Sequence, residues 1–160
     1  MDDPAAAPIR PGPVPRWLPW VSIATCLLGL GVSAYLGLQS DTGGGTVACP
    51  NTGFVNCQKV LQSAPANALG VPLPLVGLIF FLNLAIFNLP FAWRSSMLLL
   101  HLERLGTAVG GVAFVLYLIY AELYVVDAIC VWCTAVHVLS VLLFGLTVLG
   151  TAHLFGGGSA

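Results

Sequence analysis

Four long apolar stretches constrain the fold of this chain more than any other feature of its sequence. They lie near residues 17–38, 73–93, 105–126 and 128–149. Each is long enough to cross a bilayer as a helix, which takes about 20 residues. Because a helix satisfies its own backbone hydrogen bonds, these segments predict an all-α membrane protein, a bundle of four transmembrane helices.

The composition indicates burial in lipid rather than in a soluble core. Hydrophobic residues make up 58% of the chain and charged residues only 7%, whereas a soluble domain has about 25% charged residues. The formal net charge is −1 and there is no basic run, so nothing indicates nucleic-acid binding. We therefore expect a Pro-rich tail at 1–16, a helical domain at 17–150 with an outer loop at 39–72, and a short tail at 151–160.

Small residues recur at helical spacing in two of the apolar segments. Gly29, Ser33 and Gly37 do so in the first segment, and Gly106 and Gly110 in the third. Such spacing lets two helix backbones approach closely. Both sets therefore predict close helix–helix contacts.

The basic residues predict how the bundle is oriented in the membrane. Lys59 is the basic residue of the outer loop, and the other four precede the first helix or lie between the second and third: Arg10, Arg16, Arg94 and Arg104. Cytoplasmic loops carry the excess of positive charge. Both termini are therefore expected in the cytoplasm, with the outer loop and the turn at 125–129 on the opposite face.

Four cysteines fall on that outer face, in two pairs. Cys49 and Cys57 lie in the outer loop, whereas Cys130 and Cys133 form a Cys-x-x-Cys at the start of the last apolar segment. Disulfides persist outside the cytoplasm, so two pairs there favour thiol–disulfide exchange that passes electrons into the lipid phase. The fifth cysteine, Cys26, lies in the middle of a helix and is interpreted as a buried apolar side chain.

The start of the fourth helix suits a reactive thiol. Cys130 is expected in its first turn, where the helix dipole favours a thiolate, and Asp127 is placed to cap the helix. Cys133 shares the face of Cys130, so the two can close a disulfide, and it lies about 4.5 Å deeper at 1.5 Å per residue. His137 lies one further turn down, where it can donate a hydrogen bond to a lipid-soluble substrate or assist proton transfer.

Other interpretations of these side chains stay open. The Cys-x-x-Cys can be two small apolar fillers or a structural disulfide. By ligand type the four cysteines can also form a zinc site, although an oxidising compartment favours disulfides. His137 can be a packing residue with a satisfied nitrogen. Glu122 and Trp132 are interpreted as interfacial residues, the tryptophan as part of an aromatic belt.

The outer loop contains a segment with its own helical pattern. Apolar side chains at helical spacing in residues 58–64 predict a short helix over the mouth of the bundle. Such a cap would carry Cys57 toward Cys130 and shield a pocket from water. Ser63 would line that pocket or lie on the helix surface.

Four motifs of this chain form a recognisable combination: the loop cysteine pair, CQKVLQS at 57–63, GVPLPLVG at 70–77 and CVWC at 130–133. Taken together, they resemble the vitamin K epoxide reductase (VKOR) family, in particular a bacterial member. The resemblance covers about residues 17–149. It implies a four-helix bundle around a quinone, with the outer loop as a cap.

The relay of that family, carried over to this sequence, gives each cysteine a role. Cys49 would exchange with a periplasmic or extracytoplasmic thioredoxin-fold (DsbA-like) protein, and Cys57 would pass the electrons to Cys130. Cys133 would then act on a quinone of the menaquinone, ubiquinone or vitamin K type, with no metal. Only residues 151–160 follow the fourth helix, so the partner is expected to be a separate chain. Pocket positions of the family match four residues here: Ser63, Phe80, Phe81 and His137.

Two departures bear on the substrate. Leu73 and His137 stand where animal members have an asparagine and a tyrosine that hydrogen-bond vitamin K, which favours ordinary quinone reduction over epoxide reduction. We therefore expect an inner-membrane oxidoreductase that oxidises a thioredoxin-fold partner, reduces a membrane quinone and supports disulfide-bond formation.

Two further classes of protein share part of this pattern. The disulfide-bond-forming quinone reductase of other bacteria has four helices and two cysteine pairs, but there the Cys-x-x-Cys comes first. A non-enzymatic tetraspan protein with structural disulfides is the remaining alternative.

Overall fold

Helices make up most of the computed structural model, which describes residues 14–41, 48–49, 52–68, 70–95 and 97–156. The helices are α1 (Trp17–Asp41), α2 (Cys57–Leu61), α3 (Leu73–Phe87), α4 (Pro90–Trp93), α5 (Leu98–Tyr120) and α6 (Val131–Gly156). A 3₁₀ turn, Ala64–Ala66, follows α2, and a π-helical turn, Ala121–Val126, continues α5. Two short antiparallel strands, β1 (Asn67–Ala68) and β2 (Val71–Pro72), precede α3.

Three helical segments of the described chain are long and apolar enough to cross a membrane: Trp17–Ser40, Leu98–Val126 and Val131–Leu154. The predicted all-helical membrane character is thus confirmed. The apolar helix α3 has 15 residues, about 22 Å at 1.5 Å per residue. It stops at Phe87 because Leu89 precedes Pro90 and adopts an extended conformation, φ −59° and ψ 145°, as residues before proline do. A fourth crossing therefore stays a prediction.

The third apolar helix begins earlier than its hydropathy indicates, at Leu98 rather than near residue 105. The extra turns carry Arg104 into the protein, where its side chain is only 1% exposed. Its guanidinium carbon lies 3.3 Å from the centroid of the Trp93 ring, and its Nη2 lies 3.0 Å from Nδ1 of His101. The face of the Trp93 ring stabilises the positive charge of Arg104 by a cation–π interaction, which explains how this side chain can be buried at this end of the bundle.

The four longer helices pack as a ring, in which α1 and α5 each contact both α3 and α6. The small residues of α1 lie in its contact with α3. A Cβ atom at Gly29 would meet the Phe81 ring, Ser33 lies against Gly77, and Gly37 lies beside Pro74. The close approach predicted for this helix is therefore confirmed.

The same prediction for α5 was wrong. Gly106 and Gly110 have no neighbour that a Cβ atom would meet within 4 Å, whereas the adjacent Gly111 accommodates the ring of Phe80. Small-residue spacing identifies a possible contact face, but the arrangement of the other helices decides which face is used. Cys26 is fully buried with Phe81 in the core between the helices, as its interpretation as an apolar side chain predicts.

Replacing Gly29 with leucine should destabilise the protein, and Gly31→Leu provides a matched control on the same helix. The new side chain at position 29 would collide with the fully buried Phe81, and overpacking of this kind costs about 1–3 kcal/mol. Gly31 has open space around it. Thermal unfolding of the detergent-solubilised variants should show a lower midpoint for Gly29→Leu alone, and equal midpoints would contradict this packing.

Candidate redox site

The four paired cysteines meet at one end of the helical bundle. Cys57 and Cys130 are 1% and 0% exposed and belong to one buried apolar cluster, against which Cys49 and Cys133 pack. Val60, Val126 and Ala128 complete that cluster. Two segments far apart in the sequence thus bring their sulfur atoms into a single site that is largely shielded from solvent.

The two pairs differ in oxidation state. Cys49 and Cys57 form a disulfide with their Cα atoms 6.1 Å apart, whereas Cys130 and Cys133 are free thiols. Thiol–disulfide exchange proceeds by attack of a thiolate on a disulfide sulfur. An oxidised pair beside a reduced pair is the arrangement that such an exchange requires.

Backbone hydrogen bonds hold the outer loop against the turn that leads into α6. The N–H of Asn56 donates to the carbonyl oxygen of Ile129 at 3.0 Å, and the N–H of Ile129 donates to that of Phe54 at 2.9 Å. Asn56 directly precedes Cys57, and Ile129 directly precedes Cys130. The contact therefore sets the separation of the two buried cysteines through rigid backbone rather than through mobile side chains.

The short helix expected in the outer loop is α2, and it begins at Cys57. Asn56 caps it, since its side-chain oxygen accepts the N–H of Lys59 at 2.9 Å. The Lys59 ammonium group in turn donates to the carbonyl oxygen of Asp127 at 3.2 Å. The same helix is thus tied to the α5–α6 turn a second time, which keeps Cys57 over the end of the bundle.

Two aromatic residues hold the backbone beside Cys49. The N–H of Ala48 donates to the Tyr35 hydroxyl at 3.0 Å, and the Trp132 indole N–H donates to the Ala48 carbonyl oxygen at 3.0 Å. The Tyr35 and Trp132 rings lie 4.9 Å apart. Trp132 therefore makes a specific contact with the loop, and its place in an interfacial belt stays a prediction. Tyr35 was missed, and its only sequence signal is a polar-tipped aromatic near the outer end of the first helix.

Cys130 itself occupies the capping position of α6. Its Sγ atom accepts the backbone N–H of Cys133 at 3.2 Å, and the helix begins at the next residue, Val131. The prediction that Asp127 caps this helix was wrong because the helix begins later than expected. Asp127 instead ends the π-helical turn in the left-handed conformation, φ 51° and ψ 48°, which aspartate tolerates better than most residues.

These contacts favour the ionised form of Cys130. Its pKa lies below the ordinary thiol value, first because the Cys133 side chain donates a hydrogen bond to its sulfur and also because backbone N–H groups do so. Burial and the nearby charge of Glu122 oppose that effect. A thiolate is the nucleophile of disulfide exchange. The stabilised Cys130 thiolate can therefore act as a nucleophile or as a leaving group.

The thiolate of Cys130 should persist at lower pH when Cys133 is present than when it is absent. Because its pKa is lowered, Cys130 is ionised above that pKa and becomes a neutral thiol as the pH falls through it. Cys133→Ala removes the hydrogen bond that contributes most to the lowering of the Cys130 pKa. The pH midpoint of Cys130 ionisation should therefore rise in this variant. Ultraviolet thiolate absorbance against pH, in a background with Cys26, Cys49 and Cys57 replaced by alanine, measures it. An unchanged midpoint would contradict the contact.

A cavity of about 320 Å³ lies beneath the cysteines, between the helices and the outer loop. Cys133 lines it, one helical turn inward from Cys130. The walls are mainly apolar, with a few polar side chains at defined points, as is usual for pockets that bind small organic molecules. The polar side chains of the lining are Ser33, Ser63, Thr107, Glu122, His137 and Ser140.

Three of the four predicted pocket residues line this cavity: Ser63, Phe80 and His137. Phe81 is the exception, since it is fully buried in the core and its ring faces Gly29 of α1. Successive residues of a helix point about 100° apart, and this rotation turns Phe81 toward α1 while Phe80 faces the cavity. The Ser63 hydroxyl donates to the Val60 carbonyl oxygen at 2.6 Å.

Two ionisable side chains line this cavity in addition to Cys133: Glu122 and His137. His137 is 6% exposed, and no group in the described part of the chain hydrogen-bonds its ring. The interpretation of His137 as a packing residue with a satisfied nitrogen is therefore not supported. Glu122 is 8% exposed and also lines the cavity, a contact that its interpretation as an interfacial residue did not include. Across the described segments, no group of three or more His, Cys, Asp or Glu is placed to hold a metal ion.

Comparison with protein-family models gives one match. The model of the Vitamin K epoxide reductase family matches residues 20–148. The matched region includes all four cysteines of the site, the outer loop and every residue that lines the cavity.

Proposed function

This chain belongs to the vitamin K epoxide reductase family, and we propose on that basis that it is a quinone-dependent thiol–disulfide oxidoreductase of the cell membrane. In this proposal it oxidises a thioredoxin-fold protein outside the cytoplasm and passes the electrons to a membrane quinone. One observation carries the proposal: a disulfide and a dithiol share one buried cluster, and one thiol of that dithiol opens onto an apolar cavity.

The first step of the proposed relay takes place at the loop pair. Cys49 is half-buried whereas Cys57 is only 1% exposed, so an incoming thiolate reaches the sulfur of Cys49 first. That attack forms a mixed disulfide with Cys49 and releases the thiolate of Cys57. The second thiol of the partner then displaces Cys49, which leaves the partner oxidised and the loop pair reduced.

The second step transfers the electrons inward. The Cys57 thiolate attacks Cys130 of an oxidised Cys130–Cys133 pair and releases the Cys133 thiolate, and Cys49 then closes the loop disulfide again. The product of this step has the oxidation states described above, with the loop pair oxidised and Cys130 and Cys133 free. The protein in this state is ready to reduce a quinone.

The cavity suits a planar, mostly apolar ring beside Cys133. Phe80 and the aliphatic walls contact such a ring, and His137 has an unsatisfied imidazole one turn below Cys133. A donor there stabilises the charge that develops on a quinone oxygen as electrons arrive. Leu73 lines the same cavity and offers no hydrogen bond, which favours ordinary quinone reduction over epoxide reduction.

We further propose that α3 crosses the membrane as a fourth span, with both termini in the cytoplasm and the cysteines on the outer face. Arg94 is exposed at the end of the bundle opposite to the cysteines, and Arg104 is buried there, in agreement with positive charge on the cytoplasmic side. The outer loop with α2 then forms a cap over the quinone cavity, and the thioredoxin-fold partner is a separate periplasmic protein.

Quinone reduction by the purified protein tests this function. A short-chain naphthoquinone and a small dithiol are mixed anaerobically with the protein in detergent, and loss of quinone absorbance is followed above the uncatalysed rate. Catalytic turnover is expected, and the Cys26→Ala variant should retain it since Cys26 lies in the core away from the pairs. No turnover, with disulfides that resist reduction to below about −300 mV, would indicate a tetraspan protein with structural disulfides.

A further inference from the structure

Among the described residues that line the cavity, Glu122 is the one ionisable side chain that the relay leaves without a role. It lines the cavity together with Cys133 and His137 and is 8% exposed. No basic side chain of the described residues pairs with it. An unpaired carboxyl group within an apolar membrane helix is costly and usually marks a functional site.

The backbone around Glu122 has an unusual form that fixes its side chain. It is the second residue of the π-helical turn, and its carbonyl oxygen accepts the N–H groups of both Asp127 and Ala128, the latter at 3.1 Å. Single π-helical turns within α-helices occur frequently at functional sites. The wider turn directs Glu122 into the bundle, while its neighbour Leu123 is exposed.

The Glu122 carboxyl group lies near the reactive thiols and, like Cys133, lines the cavity. The backbone N–H of Cys130 lies near it, and it is close enough for its charge to act on the thiols of both Cys130 and Cys133. At the same time it contributes to the wall of the cavity that Cys133 and His137 line. A group in this position can exchange protons with Cys133 on one side and with a bound substrate on the other.

We propose that Glu122 is the acid–base residue of the quinone reaction and carries a proton from the Cys133 thiol to a quinone oxygen. This inference rests on the proposed function and adds a catalytic residue to it. The roles of the two polar groups then differ: His137 holds a quinone oxygen by a hydrogen bond, and Glu122 moves the proton.

The groups already named supply the electrons and the protons that reduction of the quinone requires. Formation of the Cys130–Cys133 disulfide releases two electrons from the two sulfurs, and the quinone takes up both electrons and two protons to become a hydroquinone. Glu122 donates its proton to one quinone oxygen and is reprotonated by the Cys133 thiol. The second proton comes from the Cys130 thiol or, when Cys130 is already ionised, from water.

A purely structural role for Glu122 is the competing explanation, because its carboxyl group also lies near the backbone N–H of Cys130. Glu122→Gln separates the two roles. The amide has nearly the same shape and keeps an oxygen that can accept a hydrogen bond from that N–H, but it cannot release and recover a proton. Glu103→Gln is the matched control, since Glu103 is an exposed residue of α5 whose carboxylate accepts only the Thr107 hydroxyl, at 3.4 Å, among the described contacts.

The experiment measures the two steps of the relay separately. Single-turnover oxidation of the reduced protein by a short-chain naphthoquinone reports the quinone step, and mass spectrometry of the cysteine oxidation states reports exchange between the loop and helix pairs. Glu122→Gln should slow the quinone step by about 10²–10⁴-fold, the usual contribution of a general acid–base group, and leave the exchange within a few-fold of the parent. Glu103→Gln should match the parent in both steps.

Three outcomes would overturn the inference. They are a Glu122→Gln protein with the parent rate of quinone reduction, one that loses both steps equally, and a Glu122→Asp protein no faster than the glutamine variant. Glu122→Asp retains the proton-carrying group, so it should recover part of the rate, and thermal unfolding shows that each variant is folded. A parent protein that reduces no quinone would instead overturn the proposed function itself.

Discussion

Cys133→Ala is expected to abolish quinone reduction, whether the electrons come from a thioredoxin-fold protein or from a small dithiol. Cys133 is the cysteine that lines the cavity, whereas Cys130 lies fully buried in the cluster beside the loop. Without Cys133, the helix pair cannot close a disulfide and therefore cannot release two electrons together. Neither reductant bypasses this step, since both deliver their electrons upstream of it.

The measurement is steady-state loss of quinone absorbance with each reductant, with the variant at the same concentration of folded protein as the parent. Cys26→Ala serves as the control, because Cys26 is a buried free cysteine of the core, away from the site. Turnover by Cys133→Ala above the uncatalysed rate, with either reductant, would show that another sulfur reduces the quinone.

Cys49→Ala is expected to lose turnover with the thioredoxin-fold protein but to retain much of it with a small dithiol. The variant keeps Cys57, which can still form a disulfide with Cys130 but has no neighbouring thiol to resolve it. Cys57 and Cys130 are both buried, so a protein partner cannot reach the trapped bond. A small dithiol can enter beneath the outer loop and reduce it.

Trapping of this intermediate can be observed directly. Mass spectrometry of the Cys49→Ala protein, after incubation with quinone and the reduced partner, should show a peptide cross-link between residues 57 and 130. The cross-link should disappear on addition of the small dithiol. If the variant were equally inactive with both reductants, Cys49 would have a role beyond accepting electrons from the partner.

Much of the architecture could be predicted because it depends on local composition. The length of the apolar segments gives the helices, and the small residues of α1 gave its close contact with α3, where Gly29 receives the Phe81 ring. The meeting of the two cysteine pairs could also be predicted. Two predicted membrane crossings lie between Cys57 and Cys130, and two crossings return the chain to the same face of the membrane. These inferences need only sequence spacing and the thickness of a bilayer.

The features that could not be predicted arise from contacts between distant segments or from irregular backbone. From the sequence, Glu122 was interpreted as an interfacial residue. The π-helical turn directs its side chain into the cavity. Trp132 was interpreted as an anchor in the interface, although its indole N–H holds Ala48 of the outer loop. The late start of α6 gives the capping position to Cys130 rather than to Asp127. The spacing of apolar residues in the sequence carries no information about such contacts.

The central claim is that electrons from a thioredoxin-fold dithiol reach a quinone through the two cysteine pairs. The most direct test follows both ends at once, by adding a reduced, purified thioredoxin-fold protein anaerobically to the protein and a membrane quinone. Partner thiols are counted while quinone absorbance is recorded. We predict that one quinone is reduced for each pair of partner thiols oxidised. Oxidation of the partner without quinone loss, or no change in either, would contradict the account.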